Sequence, residues 1–355
     1  MALPTAVRCH PVRWLLALAA LIGAGVLLTP KVSQAASDMP DLRGASLGWL
    51  LVALAAQIAS LVAFSIATYA LIERGCRPAF TRTFRIDLVT VALSHAVPAG
   101  SVAGTALGTS LLIDEGVDEI DAGFVKVSQT LLSATLLQAM LGAFLVLRII
   151  VASPSGGNIA VASAGAVVIA GVGCFVWLLA KNRGVISKIA VATVGRVPKV
   201  PADKVERVVG ELSDRLIALL RQPRQLLTAA AASLGNWVFD LISLWAALRA
   251  FGPTPSWTFI GVAFGVAQVA ASLPISPAGL GVVESSLVPL LISGGASQSV
   301  SVLGVLAWRL WNFWLPIPVG AVAYLLILHE RHSRRSNQAE GRRHRMIEDS
   351  WPSGG

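Results

Sequence analysis

Charged residues are scarce in this chain. They make up 13% of its 355 residues, whereas a soluble domain carries about a quarter. Hydrophobic residues make up 55%, the mean hydropathy is +0.72, and several windows of about 20 residues carry almost no charge. This composition is typical of a polytopic helical membrane protein. The apolar runs are continuous rather than alternating, which argues against an outer-membrane β-barrel.

Cysteine and catalytic motifs are also scarce. The three cysteines, Cys9, Cys76 and Cys174, are widely spaced, so they indicate neither a metal site nor a disulfide framework. The sequence contains no Walker loop and no HExxH, GxSxG or CxxC pattern. We therefore expect neither an enzyme nor a cofactor. The remaining enzyme interpretation is a membrane glycosyltransferase in which Asp38 and Asp41 hold a metal ion.

Apolar segments dominate what is present, and they fall into two kinds. Uninterrupted segments cover residues 14–30, 46–72, 122–150, 159–180, 224–250 and 300–328. Two further regions, 86–113 and 258–294, are apolar but are broken near the middle by proline and glycine. The segment 14–30 is either an uncleaved first helix, which we favour, or a signal sequence with VSQAAS, residues 32–37, as its cleavage site.

The net charge of +9 is concentrated in loops and in the C-terminal tail, which indicates cytoplasmic faces and anionic headgroups rather than nucleic acid. Loops 73–85 and 181–223 and the tail 329–355 are rich in arginine and lysine, so we predict that all three are cytoplasmic. Both termini are then cytoplasmic in a protein of the cell membrane. Two full helices already join each pair of consecutive basic segments, so each broken region must return to the side from which it enters.

Both broken regions are therefore predicted to be re-entrant hairpins. Residues 98–100 and 277–279 both read Pro-Ala-Gly, and a Leu-Leu-Ile run follows each triplet at the same distance along the chain. The two triplets are 179 residues apart, and we call this separation the repeat offset. Proline removes a backbone donor and glycine permits a tight reversal. One hairpin enters from the cytoplasm and the other from outside, so residues 46–150 and 224–328 form an inverted repeat, as in many transporters. The alternative is that both regions are ordinary proline-kinked spans.

Ionisable residues inside membrane spans are candidates for function because their burial is costly. Asp240, Glu284 and Arg309 form this set. We expect Arg309 to pair with Asp240 or Glu284, either as a structural ion pair or as part of a substrate or proton site. Polar residues that accompany them are His95, Gln129, Asn236, Gln268 and Asn312. We interpret His95 as a hydrogen-bonded packing residue rather than a proton carrier.

The hairpin tips, marked by Pro98 and Pro277, offer a second kind of site. The half-helix after each tip begins with free N–H groups, which favour an anion such as a lipid phosphate. Small residues there would let a headgroup approach the backbone, namely Gly100, Ser101, Gly104 and Thr105 in the first region and Gly279 and Gly281 in the second. The alternative role of these small residues is close helix packing.

Two cytoplasmic features complete the domain organisation of a transmembrane part, 1–328, and a tail, 329–355. Residues 202–220 repeat valine and leucine at helical spacing, which predicts an amphipathic helix on the membrane surface or packed between the halves. The tail is polar and is predicted to be disordered.

The stretch LPISPAGLGVVESSLVPLLISGGAS, residues 273–297, resembles the proline–glycine–glutamate signature of the flippase-like family, the lysylphosphatidylglycerol synthase transmembrane region. NWVFDLISLWAALRAFG at 236–252 and LAWRLWNFWLPIPVG at 306–320 are similar to that family's flanking helices. VPAGSVAG at 97–104 resembles its first turn, and the resemblance covers about residues 10–330. By match to the motif, it implies a site at Pro277, Gly279, Gly281, Glu284, Asp240 and Arg309.

The resemblance implies an eight-span-like module that moves or presents lipids, with an anionic phospholipid or a polyprenyl-linked glycolipid as the expected substrate. The chain departs from the family around FVKVSQTLL, where it lacks the acidic–basic pair that often opens the following helix. It also lacks an aminoacyl-transferase domain, so lipid lysinylation is not expected. The alternative is a non-transporting accessory subunit of a membrane glycosyltransferase or envelope pathway, with envelope-biosynthesis proteins as partners.

Overall fold

The computed structural model describes residues 44–97, 100–151, 215, 219, 221–272 and 279–331. Within these ranges the chain is helical and contains no strand, so the predicted all-α class is confirmed. The predicted segments 14–30 and 159–180 lie outside the described residues. So do most of the predicted amphipathic helix and the tail after Arg331.

The described helices form two series with the same order of lengths. The first repeat consists of α1 (Leu47–Leu71), α2 (Phe80–Ala96), α3 (Gly100–Asp114) and α4 (Glu119–Val151). The second repeat consists of α5 (Pro223–Arg249), α6 (Trp257–Ala271), α7 (Val282–Ser293) and α8 (Gln298–Arg331). In each series two short helices lie between two long ones.

The long helices α1, α4, α5 and α8 are long and apolar enough to cross a membrane. Large apolar side chains on their outer surfaces are exposed, including Leu51 and Ile58 on α1 and Leu325 on α8. Water would disfavour so many exposed leucines and isoleucines, whereas lipid chains accommodate them. The chain is therefore a polytopic membrane protein.

The short helices pair as antiparallel hairpins. At 12 to 17 residues they are about 18–25 Å long, less than the hydrocarbon thickness of about 30 Å. Arg82 near the start of α2 forms an ion pair with Glu115 just after α3. Phe259 near the start of α6 contacts Gly294 just after α7. We call α2–α3 the first hairpin and α6–α7 the second hairpin; their re-entrant course in a membrane stays a prediction.

One predicted boundary was wrong. The basic loop 73–85 was expected to end where the apolar pattern begins, but α2 already begins at Phe80. The guanidinium groups of Arg82 and Arg85 reach acidic partners, Glu115 and Glu330, at the rim of the bundle. The long side chains thus allow charged residues to occupy the first turns of a largely buried helix.

The two repeats agree in detail when they are compared at the repeat offset. Gly116 after α3 and Gly295 after α7 have φ of 96° and 97°, the left-handed conformation that closes a helix and that glycine adopts without strain. Asp118 and Ser297 then accept a hydrogen bond from a backbone N–H in the first turn of α4 and α8, respectively. The repeat seen in a few sequence positions therefore continues through the turn, the cap and the helix start.

Packing between the repeats is reciprocal. Helices α1 and α5 are antiparallel neighbours, joined by bonds from the Ser60 hydroxyl and the Asn236 amide. Gly265 on α6 packs against Leu141 on α4, and Gly320 on α8 packs against α2 at Leu88 and Ala92. Each hairpin therefore packs on the last long helix of the other repeat. Leu141 and Gly320 are themselves equivalent positions, separated by the repeat offset.

The two ends of the bundle differ in composition. Arginine-rich contacts gather at one, which we call the basic end, where Arg82 meets Glu115 and Arg331 meets Asp114. Tryptophans gather at the other, which we call the aromatic end, where the Trp245 ring meets those of Trp49 and Trp257 at centroid distances of 5.1 and 5.8 Å. The first hairpin opens at the basic end and the second at the aromatic end.

Helix α8 is interrupted by a π-helical segment, Leu310–Trp314. Pro316, two residues after this segment, has no N–H to continue the α-helical pattern, so the backbone widens and Leu315 N bonds to Leu310 O at 2.9 Å. The widened turn lies beside the tip of the first hairpin, where His95 contacts Phe313.

Candidate functional site

A cavity of about 410 Å³ lies between the two repeats. Helices α1, α2, α4, α5, α6 and α8 contribute to it, together with Ser272, which follows α6. Its polar lining is mainly amide and hydroxyl groups. The amides are Gln57, Gln129, Asn236, Gln268 and Asn312, and the hydroxyls are Ser60, Thr130, Ser133 and Ser272. All five polar residues expected to accompany the ionisable set, His95 included, thus lie on one cavity.

Equivalent positions of the two repeats line this cavity. Gln57 and Asn236 are separated by the repeat offset, as are Ser133 and Asn312. Thr130 and Arg309 form a third such pair, with different chemistry on the two sides. The cavity therefore lies where the two repeats meet.

Asp240 is buried at the cavity wall, with 4% of its surface exposed. Its Oδ1 accepts hydrogen bonds from Trp308 Nε1 and Asn312 Nδ2, both at 2.9 Å, and its Oδ2 accepts one from Gln268 Nε2 at 3.3 Å. Three donors from α6 and α8 thus compensate for its loss of hydration. The arrangement links α5 to both neighbouring helices.

Arg309 pairs with Glu284 rather than Asp240. Its Nε donates to Glu284 Oε1 at 2.6 Å, and one terminal nitrogen donates to the Gly279 carbonyl at 3.3 Å. The guanidinium also lies over the rings of Trp308 and Phe313, at 5.2 and 5.7 Å from their centroids. Arg309 therefore reaches from the cavity wall to the start of the second hairpin's return helix.

Glu284 caps its own helix. Its Oε2 accepts a hydrogen bond from the Gly281 N–H at 2.6 Å, which satisfies one of the free donors at the start of α7. Gly281 has φ of 82° and is exposed. One of the donors that could meet an anion at this helix start is thus already bonded to Glu284.

Most of the predicted tip residues lie away from the cavity. Gly100 and Gly104 face the backbone of α2 so closely that a Cβ would not fit, and Gly279 packs on Ala271 in the same way. This geometry favours helix packing over headgroup approach at the three glycines. Ser101 is exposed and is not part of the cavity wall. Pro98 and Pro277 lie outside the described residues.

His95 meets the expectation of a packing residue. Its Nδ1 lies 3.2 Å from the Phe313 carbonyl, and its ring stacks on Phe313 at 4.9 Å. It also lines the cavity, so it closes one side of the chamber at the end of α2.

Sequence reasoning missed a second buried ion pair. Lys126 Nζ lies 2.5 Å from Asp87 Oδ1, and both side chains are only 2% exposed. Lys126 belongs to FVKVSQTLL, where the local sequence contains no acidic–basic pair, because its acid comes from α2 rather than from α4. Gln57 was also missed, although its separation from Asn236 by the repeat offset would have identified it.

In the described ranges, no three His, Cys, Asp or Glu residues lie close enough together to hold a metal ion. Asp38 and Asp41 fall outside those ranges.

The fold and the cavity define a multi-pass helical membrane protein with a polar chamber between two repeats. The sequence model of the family described as the lysylphosphatidylglycerol synthase TM region matches residues 14–320, so the chain belongs to that family. The family expected from the 273–297 stretch is thereby confirmed. The chain is also similar to a UPF0104 membrane protein of Methanothermobacter thermautotrophicus, with 26% identity over 120 residues. That match covers 34% of this chain and 36% of the relative, about a third of the relative's length.

Proposed function

We propose that this protein moves or presents a lipid across the cell membrane without changing the lipid's covalent structure. The expected substrate is an anionic phospholipid or a polyprenyl-linked glycolipid. The central cavity is the observation that carries the proposal, because a lipid headgroup needs a polar path through the hydrocarbon region. Thr130, Ala134 and Ser272 on its wall are exposed, so the described chamber opens to the surface.

The two hairpins support alternating exposure of this chamber. Their short helices end near its wall, at His95 in the first and at Ser272 in the second. The hairpins open at opposite ends of the bundle, and we propose that they enter the membrane from opposite sides. A movement of either hairpin would then change access from one side only, as alternating access requires.

We propose that the basic end is cytoplasmic. Arginines are frequent there, whereas Arg148 and Arg249 lie at the aromatic end, where the cation of each rests over an aromatic ring. Positive charge marks cytoplasmic loops, and tryptophan favours the membrane interface. Asp118 would then be cytoplasmic, on the same side as Cys76.

Blocking the chamber tests the proposal. The purified protein is reconstituted in sealed phosphatidylcholine vesicles with a fluorescent phosphatidylglycerol or a fluorescent glycolipid, and loss of fluorescence after adding an impermeant reductant outside measures transbilayer movement. Ser133→Trp would fill the cavity, whereas Leu131→Trp lies on the exposed apolar side of the same helix. We expect the first variant to slow movement at least tenfold and the second to behave as the unmodified protein.

Two results would contradict the proposal. One is equal movement of every lipid probe in vesicles with and without the folded protein. The other is unchanged movement in Ser133→Trp. The first result would favour the accessory-subunit alternative, and the second would place the path elsewhere.

A further inference from the structure

Resting on the proposed function, we propose that the central cavity takes an uncharged polyhydroxyl headgroup, such as a glycosyl unit, in preference to a phosphate or an ammonium group. The inference depends on two observations: the charged groups of the wall are already engaged, and the buried carbonyl oxygen of Gln57 has no partner among the described residues.

The charged groups of the wall are engaged within the protein. Arg309 binds Glu284 and the Gly279 carbonyl, so its charge is already compensated. A phosphate in the chamber would need an available cation or several free N–H donors, and Arg309 is the one lysine or arginine among the described lining residues. Recognition of a phosphate by a cation of this wall would therefore have to break the Arg309–Glu284 pair.

Asp240 offers few free acceptor positions to an ammonium group. Its oxygens accept three hydrogen bonds, from Trp308, Asn312 and Gln268, which occupy three of about four acceptor positions of a carboxylate. An ammonium group, with three N–H donors, would find one such position unless it displaced one of these residues.

Gln57 supplies the positive observation. Its side chain is 3% exposed, and its Oε1 has no hydrogen-bond partner among the described residues. An unpaired buried carbonyl oxygen costs roughly 1–3 kcal/mol, so a ligand that donates a hydrogen bond to it gains that amount. A hydroxyl or an ammonium group can donate this bond, whereas an ionised phosphodiester has no proton to give. The contact thus separates a hydroxyl from a phosphate, and the occupied positions on Asp240 disfavour the ammonium.

The rest of the wall fits a sugar ring. Amide side chains offer both donors and acceptors, which match the paired donor and acceptor character of neighbouring hydroxyls. Trp237 and Phe64 add apolar surface, and Trp237 is held in place by a 2.9 Å bond from its Nε1 to the Ser133 carbonyl. A volume of about 410 Å³ lies within the range of small-molecule sites.

The test compares three short-chain lipids with the same dioctanoyl chains: a glucosyl diacylglycerol, phosphatidylethanolamine and phosphatidylmethanol, an anionic phosphodiester without a hydroxyl group. Each is titrated into the purified full chain in detergent, and the rise in melting temperature gives its apparent Kd, since a ligand of the native state stabilises it. We expect the glucosyl lipid to bind at least tenfold more tightly than the other two.

Gln57→Leu and a matched control connect this preference to the proposed contact. Ser65 lies on the same helix, is 1% exposed and also has an unpartnered oxygen, but it does not line the cavity. We expect Gln57→Leu to weaken the glucosyl lipid about tenfold, the loss of one hydrogen bond, and Ser65→Ala to leave its Kd within about twofold. Gln57→Leu removes an unpaired acceptor, so it should still fold.

The inference is overturned if phosphatidylmethanol or phosphatidylethanolamine binds as tightly as the glucosyl lipid, or if Gln57→Leu binds the glucosyl lipid normally. Transbilayer movement of the same probes separates it from the proposed function. Selective binding without movement would contradict only the transport proposal. Movement of phosphatidylmethanol through a Ser133-sensitive path without glucosyl selectivity would contradict only the headgroup inference.

Discussion

An ion pair joins each hairpin to the last long helix of its own repeat, yet the two pairs differ in their surroundings. Asp87 and Lys126 in the first repeat are both 2% exposed and do not line the cavity. In the second repeat Glu284 is 27% exposed, and Arg309 forms part of the cavity wall. The same architecture thus carries a sealed pair on one side and a pair in contact with the chamber on the other.

This difference indicates that the second repeat, rather than the first, places a charged residue on the wall of the chamber. Lys126 lies one helical turn before Thr130, the position equivalent to Arg309. A shift of one turn along α4 therefore removes the cation from the chamber wall and leaves a neutral hydroxyl there. We infer that the first pair stabilises the hairpin, whereas the second couples hairpin position to the chamber.

The largest expected effect comes from breaking the sealed pair. Lys126→Ala would leave the Asp87 carboxylate buried without a cation, and Asp87 Oδ2 already has no partner among the described residues. We expect a loss of about 3–5 kcal/mol in the free energy of unfolding, measured by thermal or denaturant unfolding in detergent. The double variant Asp87→Leu with Lys126→Met should recover most of that loss, because both charges are removed together. A single Lys126→Ala variant with wild-type stability would show that the Asp87–Lys126 pair does not stabilise the first hairpin.

A smaller stability effect is expected at the Arg309–Glu284 pair, of which Glu284 is partly exposed. Glu284→Gln keeps a hydrogen-bond acceptor for Gly281 but removes the charge facing Arg309, and solvent near Glu284 screens part of the loss. We expect a cost of about 1 kcal/mol in unfolding free energy, together with a several-fold slower transbilayer movement. The nearby exposed residue Ser285 provides the control as Ser285→Ala. A Glu284→Gln protein that unfolds as readily as Lys126→Ala would remove the contrast between the two pairs.

The smallest effect concerns the turns that the repeats share. Gly116→Ala and Gly295→Ala both introduce a Cβ at positive φ, and no heavy atom beyond the two adjacent residues lies within 4 Å of that Cβ. Only backbone strain should count, so each variant should lose about 1–2 kcal/mol and the two losses should agree within about 0.5 kcal/mol. Gly123→Ala, in the open interior of α4, should not destabilise the protein. Unequal losses at the two turns, measured by chemical unfolding, would contradict their structural equivalence.

Much of the architecture was predictable because it depends on local chemistry. Continuous apolar segments identified the long helices, and proline with glycine located the breaks near residues 98 and 277. The repeat offset was visible in two short runs, and the structure extends it to the turn at Gly116 and the cap at Asp118.

The rest depends on contacts between distant helices. Nothing local to Lys126 shows that its partner is Asp87, which lies on another helix. Nor could composition decide whether Arg309 binds Asp240 or Glu284, since that depends on how α7 and α8 approach each other. The start of α2 at Phe80 was missed because arginines at a helix start resemble loop residues in sequence.

The sidedness of two equivalent positions tests the central claim most directly. Glu119 and Gln298 are the first residues of α4 and α8, they are separated by the repeat offset, and both are exposed. In a protein without Cys9, Cys76 and Cys174, a single cysteine is placed at 119 or at 298 and labelled with an impermeant thiol reagent from each side of sealed vesicles. The exposed native Cys76, retained alone, reports the side of the basic end. We predict labelling at 119 from the same side as Cys76 and at 298 from the opposite side; labelling of both from one side would contradict the inverted repeat and the re-entrant hairpins.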